Sequence, residues 1–328
     1  MKVVAIGGGT GLATVLHGLR NHVAEPARPA QFRPEITRLT AIVTVTDEGG
    51  SSGRLRREFR ILPPGDIRNC LVALAEDEQL LTKLFNYRFA SGHGLRGHSL
   101  GNLFLTALTH LTHDFAQAVR LSSEVLATRG EIFPATLADV HLEATRSDGT
   151  IARGEHAITK TRIPIKRLHI VPRRCRPLPE TLKALREADL ITVGPGSLYT
   201  SLVPNLLVQG IPKEIAHSRA VKVLVCNLMT QPGESRGYSA ADHVRALHRH
   251  AGHQLFDHIV LNKRQLSRAL LKRYAAEHAE PVELDLDELD KLGAKPVCAD
   301  LLIEEHVARH DSHCLANLLL SLAKPRKR

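Results

Sequence analysis

The sequence predicts an α/β fold, doubly wound, with a mostly parallel sheet and a small antiparallel β insertion. Short apolar runs rich in β-branched residues recur along the chain, and they are followed by segments in which apolar residues recur at helical spacing. Strands that alternate with helices imply right-handed crossovers, which place consecutive strands parallel to one another. These two observations define the fold class before any motif is considered.

The first strand and helix are predicted at the start of the chain. Residues 3–6 form a β-branched apolar run that ends at Gly7, and apolar residues then recur at helical spacing as far as Leu19. Residues 39–45 predict a second strand, apolar enough to be buried on both faces. The leucine-rich stretch at residues 71–112 predicts helices interrupted by glycine-containing turns.

The middle of the chain departs from this alternation. Between residues 137 and 163 apolar positions alternate on both sides of an Asp148-Gly149 turn, which predicts an antiparallel hairpin or meander inserted in the α/β fold. Residues 168–171 then predict a strand that returns the chain to the main sheet. Three further buried strands, each followed by a helical stretch, are predicted at residues 190–193, 221–226 and 258–261.

We therefore expect one α/β domain over residues 1–323, with the β insertion at about 137–163 and a solvated basic tail at 324–328. No apolar run approaches the roughly 18 residues that span a bilayer, and the first apolar run leads into glycines rather than into a signal-peptide cleavage site. We expect no membrane span and a cytoplasmic location. The 5 cysteines form no C-x-x-C pair, which argues against a disulfide framework.

The charge balance points to an anionic partner. Lys and Arg total 44 against 34 Asp and Glu, a formal net charge of +10. Aromatic residues make up only 4% and there is no tryptophan, which argues against a single-stranded nucleic-acid platform built on base stacking. A membrane surface or a phosphorylated small molecule suits the surplus, and so does a role in solubility alone.

Four polar or glycine-rich loops follow predicted strands, where ligands of open parallel sheets bind. They are residues 7–11, 46–53, 194–197 and 227–234.

The loop at residues 7–11 matches neither G-x-G-x-x-G nor the Walker A pattern. It nevertheless places unencumbered backbone N–H groups at a helix N-terminus, which favours a phosphate. The alternative is that its glycines serve only the geometry of a tight strand-to-helix turn.

The second loop carries the adjacent carboxylates Asp47 and Glu48. Such a pair suits a hydrated Mg²⁺, a ribose hydroxyl or a general base, and helix capping is the alternative. Arg56, Arg57 and Arg60 follow on one helical face, either as an anion-binding stripe or as a solvated surface.

A proline turn next to this face opens a further helix. Asp66 is predicted to cap that helix, and Arg68 and Asn69 lie where its first turn meets a phosphate or a sugar.

Five motifs resemble the gluconeogenesis factor family (YvcK-like), and they are ordered and spread over most of the chain. They are Gly7-Gly8-Gly9-Thr10-Gly11-Leu12, the run from Asp47 to Arg56, Pro63-Pro64-Gly65-Asp66-Ile67-Arg68-Asn69-Cys70-Leu71, Gly194-Pro195-Gly196-Ser197-Leu198-Tyr199-Thr200-Ser201, and Cys226-Asn227-Leu228-Met229-Thr230-Gln231-Pro232-Gly233-Glu234. That family is similar to the phospholactate transferases (CofD-like), a Rossmann-like group that transfers a phospholactyl unit from a guanosine diphospho donor with Mg²⁺.

The resemblance implies a Rossmann-like cytoplasmic protein that binds UDP-sugars and is required for cell shape during gluconeogenic growth. It does not imply established turnover. Two departures matter. Arg68 replaces an acceptor-site carboxylate of the transferases, which disfavours deazaflavin binding, and Glu48 stands where family members commonly carry a second Asp.

The leading hypothesis is a nucleotide-sugar-binding regulatory protein. Its predicted ligand contacts are Gly8, Gly9, Thr10, Gly11, Asp47, Arg68, Asn69, Gly194, Gly196, Ser197, Asn227 and Thr230. A bound Mg²⁺ would be held by Asp47 and Glu48. The alternative is a Mg²⁺-dependent phospholactate-type transferase. Nucleic acid is not expected as a partner. A homodimer is compatible with the sequence, although no sequence pattern indicates one.

Overall fold

The structure is a computed structural model and describes residues 1–24, 35–76, 79–160 and 162–323. Its strands are β1 (Lys2–Gly7), β2 (Arg38–Val43), β3 (Glu131–Pro134), β4 (His141–Arg146), β5 (Ile151–Arg153), β6 (Ile165–Val171), β7 (Leu190–Val193), β8 (Val221–Val225), β9 (His258–Asn262), β10 (Lys295–Ala299), β11 (Leu302–Glu304) and β12 (Ala308–His310). The predicted basic tail at 324–328 lies outside the described residues.

The helices of the described chain alternate with these strands. They are α1 (Gly9–Leu19), α2 (Gly50–Phe59), α3 (Gly65–Leu74), α4 (Gln79–Asn86), α5 (Leu100–Thr112), α6 (Phe115–Val125), α7 (Glu155–Thr159), α8 (Pro179–Glu187), α9 (Val203–Leu207), α10 (Ile211–His217), α11 (Ala240–Ala251), α12 (Arg268–Ala276), α13 (Leu286–Lys291) and α14 (Ser312–Ala323). A single π-helical turn, Leu198–Leu202, precedes α9.

Within the described part of the chain, seven strands form one parallel sheet in the order β10-β9-β8-β7-β1-β2-β3. The strand β1 is central and pairs with β2 on one side and with β7 on the other, and its residues from Val3 to Gly7 are buried because helices cover both faces of the sheet. The chain winds outward from β1 in both directions and helices flank the sheet. The predicted α/β class, Rossmann-like and mostly parallel, is confirmed.

The antiparallel insertion is larger than the sequence indicated. Strands β5, β4 and β6 form a separate three-stranded antiparallel sheet. The prediction that residues 168–171 belong to the main sheet is therefore wrong. Strand β6 buries Leu168 and Ile170 but leaves Lys166 and Arg167 exposed, a partly solvated pattern that suits an antiparallel sheet with one covered face. His250 in α11 ties β6 to that helix, because its Nε2 accepts the N–H of Leu168 at 2.9 Å.

Both edge strands of the main sheet escape prediction for a common reason. The strands β3 and β10 contain Pro134 and Pro296, and proline is confined largely to sheet edges because it cannot donate to a ladder. The β11–β12 hairpin escapes prediction because its strands are short. Among the described residues, no helix is both long and apolar enough to cross a membrane.

Candidate functional site

A cleft of about 530 Å³ opens where the carboxyl ends of β1 and β7 meet. The chain leaves β1 toward β2 and leaves β7 toward β8, so the loops after the two strands diverge. Ligands of open α/β sheets bind in such a crevice. The predicted ligand contacts that line it are Gly8, Gly9, Thr10, Gly11, Gly196, Ser197, Asn227 and Thr230.

The glycine loop after β1 approaches its neighbours too closely for larger residues. A Cβ atom on Gly11 would lie 2.2 Å from the carbonyl oxygen of Pro195, and one on Gly8 would lie 2.6 Å from a carboxylate oxygen of Asp66. Gly9 has a φ of 61°, which glycine adopts without strain. Close packing and backbone conformation therefore account for these glycines, whatever the loop binds.

The start of α1 supplies the feature that suits an anion. The N-cap residue Gly8 has no side chain to accept from the first turn. The N–H of Gly9 hydrogen-bonds to the carboxyl group of Asp66, and the following turn begins with the exposed Thr10 at the cleft. Uncapped N–H groups and the positive end of the helix dipole favour a phosphate at this position.

The side-chain amide of Asn227 fixes the loop after β7 through two hydrogen bonds. The side chain of Asn227 accepts the N–H of Gly196 at 2.9 Å and donates to the carbonyl oxygen of the same residue at 2.8 Å. The hydroxyl of Ser197 accepts from Gln231 at 2.8 Å. Thr230 is buried, and its hydroxyl accepts the N–H of Glu280 at 3.0 Å. Asn227 and Thr230 thus shape the wall of the cleft.

Replacing Asn227 with alanine removes both bonds to Gly196. We expect the free energy of unfolding to fall by about 2–3 kcal/mol, because two backbone groups lose their partners in a partly buried loop. Urea denaturation of the purified variant measures this change. The matched control is Thr136→Val, which removes a buried hydroxyl that also bonds two backbone groups, those of Arg176 and Ala138, away from the cleft. Only Asn227→Ala should also weaken ligand binding.

Three carboxyl groups line the cleft, those of Asp66, Glu155 and the exposed Glu277. Burial and the charge of Asp47 raise the pKa of Asp66 to about 7. Burial, together with the charges of Asp47, Asp66 and Glu234, raises the pKa of Glu155 to about 8. Asp66 does not cap its helix as predicted, because α3 begins one residue earlier, at Gly65, and its carboxyl group takes the N–H of Gly9 instead.

A reciprocal pair of carboxylate hydrogen bonds joins the insertion to the loop after β2. Glu155 accepts the N–H of Glu48 at 2.9 Å, and Glu48 accepts the N–H of Glu155 at 3.1 Å. A Cβ atom on Gly154 would lie 2.3 Å from a carboxylate oxygen of Glu48. The carboxylate of Glu48 therefore packs against the insertion and secures it to the main sheet.

The donor set suits a hard cation only in part. No group of three or more His, Cys, Asp or Glu side chains with metal-binding geometry occurs among the residues that the structure describes. Asp47 and Asp66 provide two carboxylates near the proposed phosphate position, and Mg²⁺ commonly takes one or two carboxylates together with substrate phosphates and water. The residues fit a Mg²⁺ ion that arrives with a phosphorylated ligand.

The other predicted contacts lie outside this cleft. Arg68 donates to Asn86 at 3.0 Å and to Asn69 at 2.6 Å, and Asn69 lines a neighbouring cleft of about 630 Å³ that shares Thr10 with the first. Gly194, with a φ of 80°, directly follows the end of β7.

The arginines of α2 do not act as one stripe. Arg56 donates to the carbonyl oxygen of Val140 at 2.6 Å and so ties its helix to the segment before β4. Arg57 and Arg60 are exposed.

The cleft also contains residues that the sequence did not indicate. The far wall comes from α12 and the β11–β12 hairpin, through Tyr274, Arg309 and His310. His310 is buried, and burial lowers its pKa to about 4, so the ring is neutral near neutral pH. Glu155 arrives from the insertion. None of these residues follows a predicted strand, so no sequence signal singled them out.

Comparison with known proteins is consistent with this geometry. A family model described as 2-phospho-L-lactate transferase CofD matches residues 3–302. A "Putative gluconeogenesis factor" of Nostoc sp. is 51% identical over 322 residues, which cover 97% of this chain and 68% of that protein. The "Gluconeogenesis factor" of Bacillus subtilis is 46% identical over 324 residues, which cover 98% of each chain.

A crystal structure from Bacillus halodurans, described as a member of the UPF0052 family, superposes with a TM-score of 0.90. It is 46% identical and covers 97% of this chain and 98% of that one. A parallel sheet whose loops diverge at a switch point defines the Rossmann-like class of α/β folds. The chain belongs to the CofD family, and its near-full-length similarity to proteins named gluconeogenesis factors confirms the family resemblance drawn from its motifs.

Proposed function

We propose that this protein is a cytoplasmic nucleotide-sugar-binding protein that takes a UDP-sugar and serves cell morphogenesis during gluconeogenic growth. The observation that carries the proposal is the start of α1, where Gly8 supplies no side-chain cap, and which faces the loop at residues 194–197 across the switch-point cleft. A pyrophosphate placed between them would meet the N–H groups of Thr10 and Gly11 and that of Ser197, since the N–H groups of Gly194 and Gly196 already bond to Ile6 and Asn227. The similarity to gluconeogenesis factors supports the physiological part of the proposal.

The carboxyl groups of Asp47 and Asp66 lie beside this pyrophosphate position. A Mg²⁺ ion bound by them would neutralise charge on both the carboxylates and the phosphates. The chain's own residues would then orient the ligand: Asn227 fixes Gly196 at one wall, and Gly9 fixes Asp66 at the other.

Replacing Thr10 with glutamate tests the phosphate position. The new carboxylate would stand at the start of α1, where it would occupy the N–H groups and repel a phosphate, so we expect UDP-N-acetylglucosamine to bind about a hundredfold more weakly. Isothermal titration calorimetry measures the change. The control is Gln117→Glu, which adds the same charge to the exposed first turn of α6. Saturable binding of equal strength in both variants would refute the phosphate position at the start of α1, and absence of saturable binding by the wild type would refute the proposed function.

A second candidate is a Mg²⁺-dependent phospholactate-type transferase. Family membership favours it, as does the position of Asp66 beside the glycine loop with the charge of Asp47 close to it. Under this hypothesis the purified protein releases GMP from a guanosine diphospho-lactate donor in the presence of deazaflavin and Mg²⁺. Absence of GMP with the wild type, under conditions in which the nucleotide is bound, would exclude this reaction.

A further inference from the structure

A groove of about 410 Å³ lies beside the start of α8, and it shares no lining residue with the switch-point cleft. Proline and leucine carbons form its floor, so the groove is mostly apolar. Its volume holds roughly two leucine-sized side chains, since a cavity of about 150 Å³ takes one benzene ring. The lining residues are Arg176, Pro177, Pro179, Leu182, Arg186 and Gln209.

Hydrogen bonds from several segments fix the walls of this groove. The N–H of Gln209 donates to the backbone of the connection before α8 at 3.1 Å. The hydroxyl of Thr136 donates to the carbonyl oxygen of Arg176 at 2.7 Å. Arg186 is paired with Glu214 through two bonds of 2.9 Å, which link α8 to α10 and neutralise the arginine. A groove that is already formed needs little ordering when a ligand enters, which favours binding.

The connection that leads from β6 to the groove carries uncompensated positive charge. It contains the exposed Arg173, Arg174 and Arg176, and none of these side chains forms an ion pair or a hydrogen bond with a residue that the structure describes. One acidic side chain, Glu180, lies in the first turn of α8. Arg176 lines the groove itself. The positive potential at the mouth of the groove therefore favours an acidic ligand.

We propose that this groove binds an acidic segment of a partner protein. Apolar side chains of that segment lie on the groove floor, and its carboxylates lie at the arginines of the β6–α8 connection. Arginine is enriched at protein interfaces and binds carboxylates through two parallel hydrogen bonds. The exposed amide of Gln209 donates to and accepts from the backbone of the bound segment. This site is independent of the proposed nucleotide-sugar site, because the two share no lining residue.

Other anionic partners fit the groove less well. Single-stranded nucleic acid binds by stacking on aromatic side chains, and no aromatic residue of the described chain lines this groove. A flat bilayer surface would meet the exposed arginines without filling the concave floor. A second copy of the chain, docked through this surface by two-fold symmetry, would bring the arginines against one another, because such a contact is self-complementary. A protein segment supplies both the carboxylates and the apolar side chains.

Fluorescence anisotropy with a short labelled peptide of glutamate and leucine tests the charged part of the site. The test variant combines Arg173→Ala, Arg174→Ala and Arg176→Ala. Its control makes the same change at three exposed arginines elsewhere, Arg57, Arg60 and Arg268. Both variants lose the same charge, so a difference between them reports the position of the arginines. We expect the peptide to bind the test variant at least about tenfold more weakly than the control.

A second pair of variants tests the groove itself without changing the charge. Gln209→Trp fills the groove from its exposed rim, and Gln117→Trp places the same side chain on the exposed first turn of α6. We expect only Gln209→Trp to weaken peptide binding, again by at least about tenfold. A peptide with serine in place of leucine should bind the wild type more weakly by a similar factor, because it leaves the apolar floor uncovered.

Thermal unfolding and titration with UDP-N-acetylglucosamine accompany each variant, and both should match the wild type. The site is overturned if the wild type shows no saturable peptide binding, or if the two arginine variants bind the peptide equally. Equal binding of the serine peptide would overturn the role of the floor. Stronger competition by a single-stranded oligonucleotide, or self-association of the wild type that the arginine variant loses, would overturn the protein segment as occupant. Each of these outcomes leaves the proposed function standing.

Discussion

Replacing Gly11 with alanine is expected to abolish nucleotide-sugar binding and to lower the free energy of unfolding by about 3 kcal/mol. The new Cβ atom would lie 2.2 Å from the carbonyl oxygen of Pro195, a backbone atom that cannot rotate away. The two loops would have to separate, and the cleft between them would change shape. Isothermal titration calorimetry with UDP-N-acetylglucosamine and urea denaturation measure the two effects.

Gly7→Ala is the matched control in the same loop. A Cβ atom on Gly7 would meet its nearest neighbour, the Cβ of Leu12, at 3.4 Å, which is ordinary van der Waals contact. We expect this variant to retain ligand affinity and to unfold at nearly the wild-type denaturant concentration. Equal affinity in Gly11→Ala and Gly7→Ala would show that the contact between the two loops does not shape the ligand site.

The sequence predicts the loops of the cleft because parallel strands end at the same edge of the sheet. Each apolar run is recognisable from its composition. The glycine and polar residues of the loops that follow these runs, such as Gly11, Gly196 and Asn227, can therefore be placed at one edge of the sheet without a structure. Their location is now established, and their role in ligand binding stays a prediction.

The remaining cleft residues depend on tertiary packing that no local pattern encodes. Glu155 lies 107 residues from Glu48 in sequence, and the two meet only because the antiparallel insertion folds back over the main sheet. Asp66 resembles a helix cap in the sequence because aspartate is favoured at that position, but its partner is Gly9 on another element. Arg309 belongs to a three-residue strand that is too short to predict.

The basic surplus of the chain is not concentrated at the cleft. Arg56 and Arg68 make hydrogen bonds within the protein, whereas the cleft itself contains the carboxyl groups of Asp66 and Glu155. An anion would be repelled if both carboxyl groups were ionised. The raised pKa of Glu155, about 8, keeps that group largely protonated near neutral pH, whereas Asp66, with a pKa of about 7, is only about half protonated. Together the two shifts reduce the negative charge that a phosphate in the cleft would meet.

This protonation leads to a second large effect, a loss of stability as the pH rises. Burial raises the pKa of Glu155 from 4.5 to about 8, so the folded protein holds a proton that the unfolded chain releases above about pH 4.5. A raised carboxyl pKa stabilises the fold fully at low pH, and the contribution is lost as the pH rises toward about 8. Between about pH 5 and pH 8, we expect the free energy of unfolding of the wild type to fall by about 2 kcal/mol more than that of Glu155→Gln.

The substitution is conservative, because a glutamine oxygen can still accept the N–H of Glu48. Urea denaturation at several pH values measures the slope of the unfolding free energy for the wild type, Glu155→Gln and the exposed control Glu124→Gln. Part of the slope should persist in Glu155→Gln, since Asp66 titrates at about 7 beside Asp47. Identical slopes for all three proteins would mean that Glu155 is already ionised in the folded state, and the cleft would then need a bound cation to accept a phosphate.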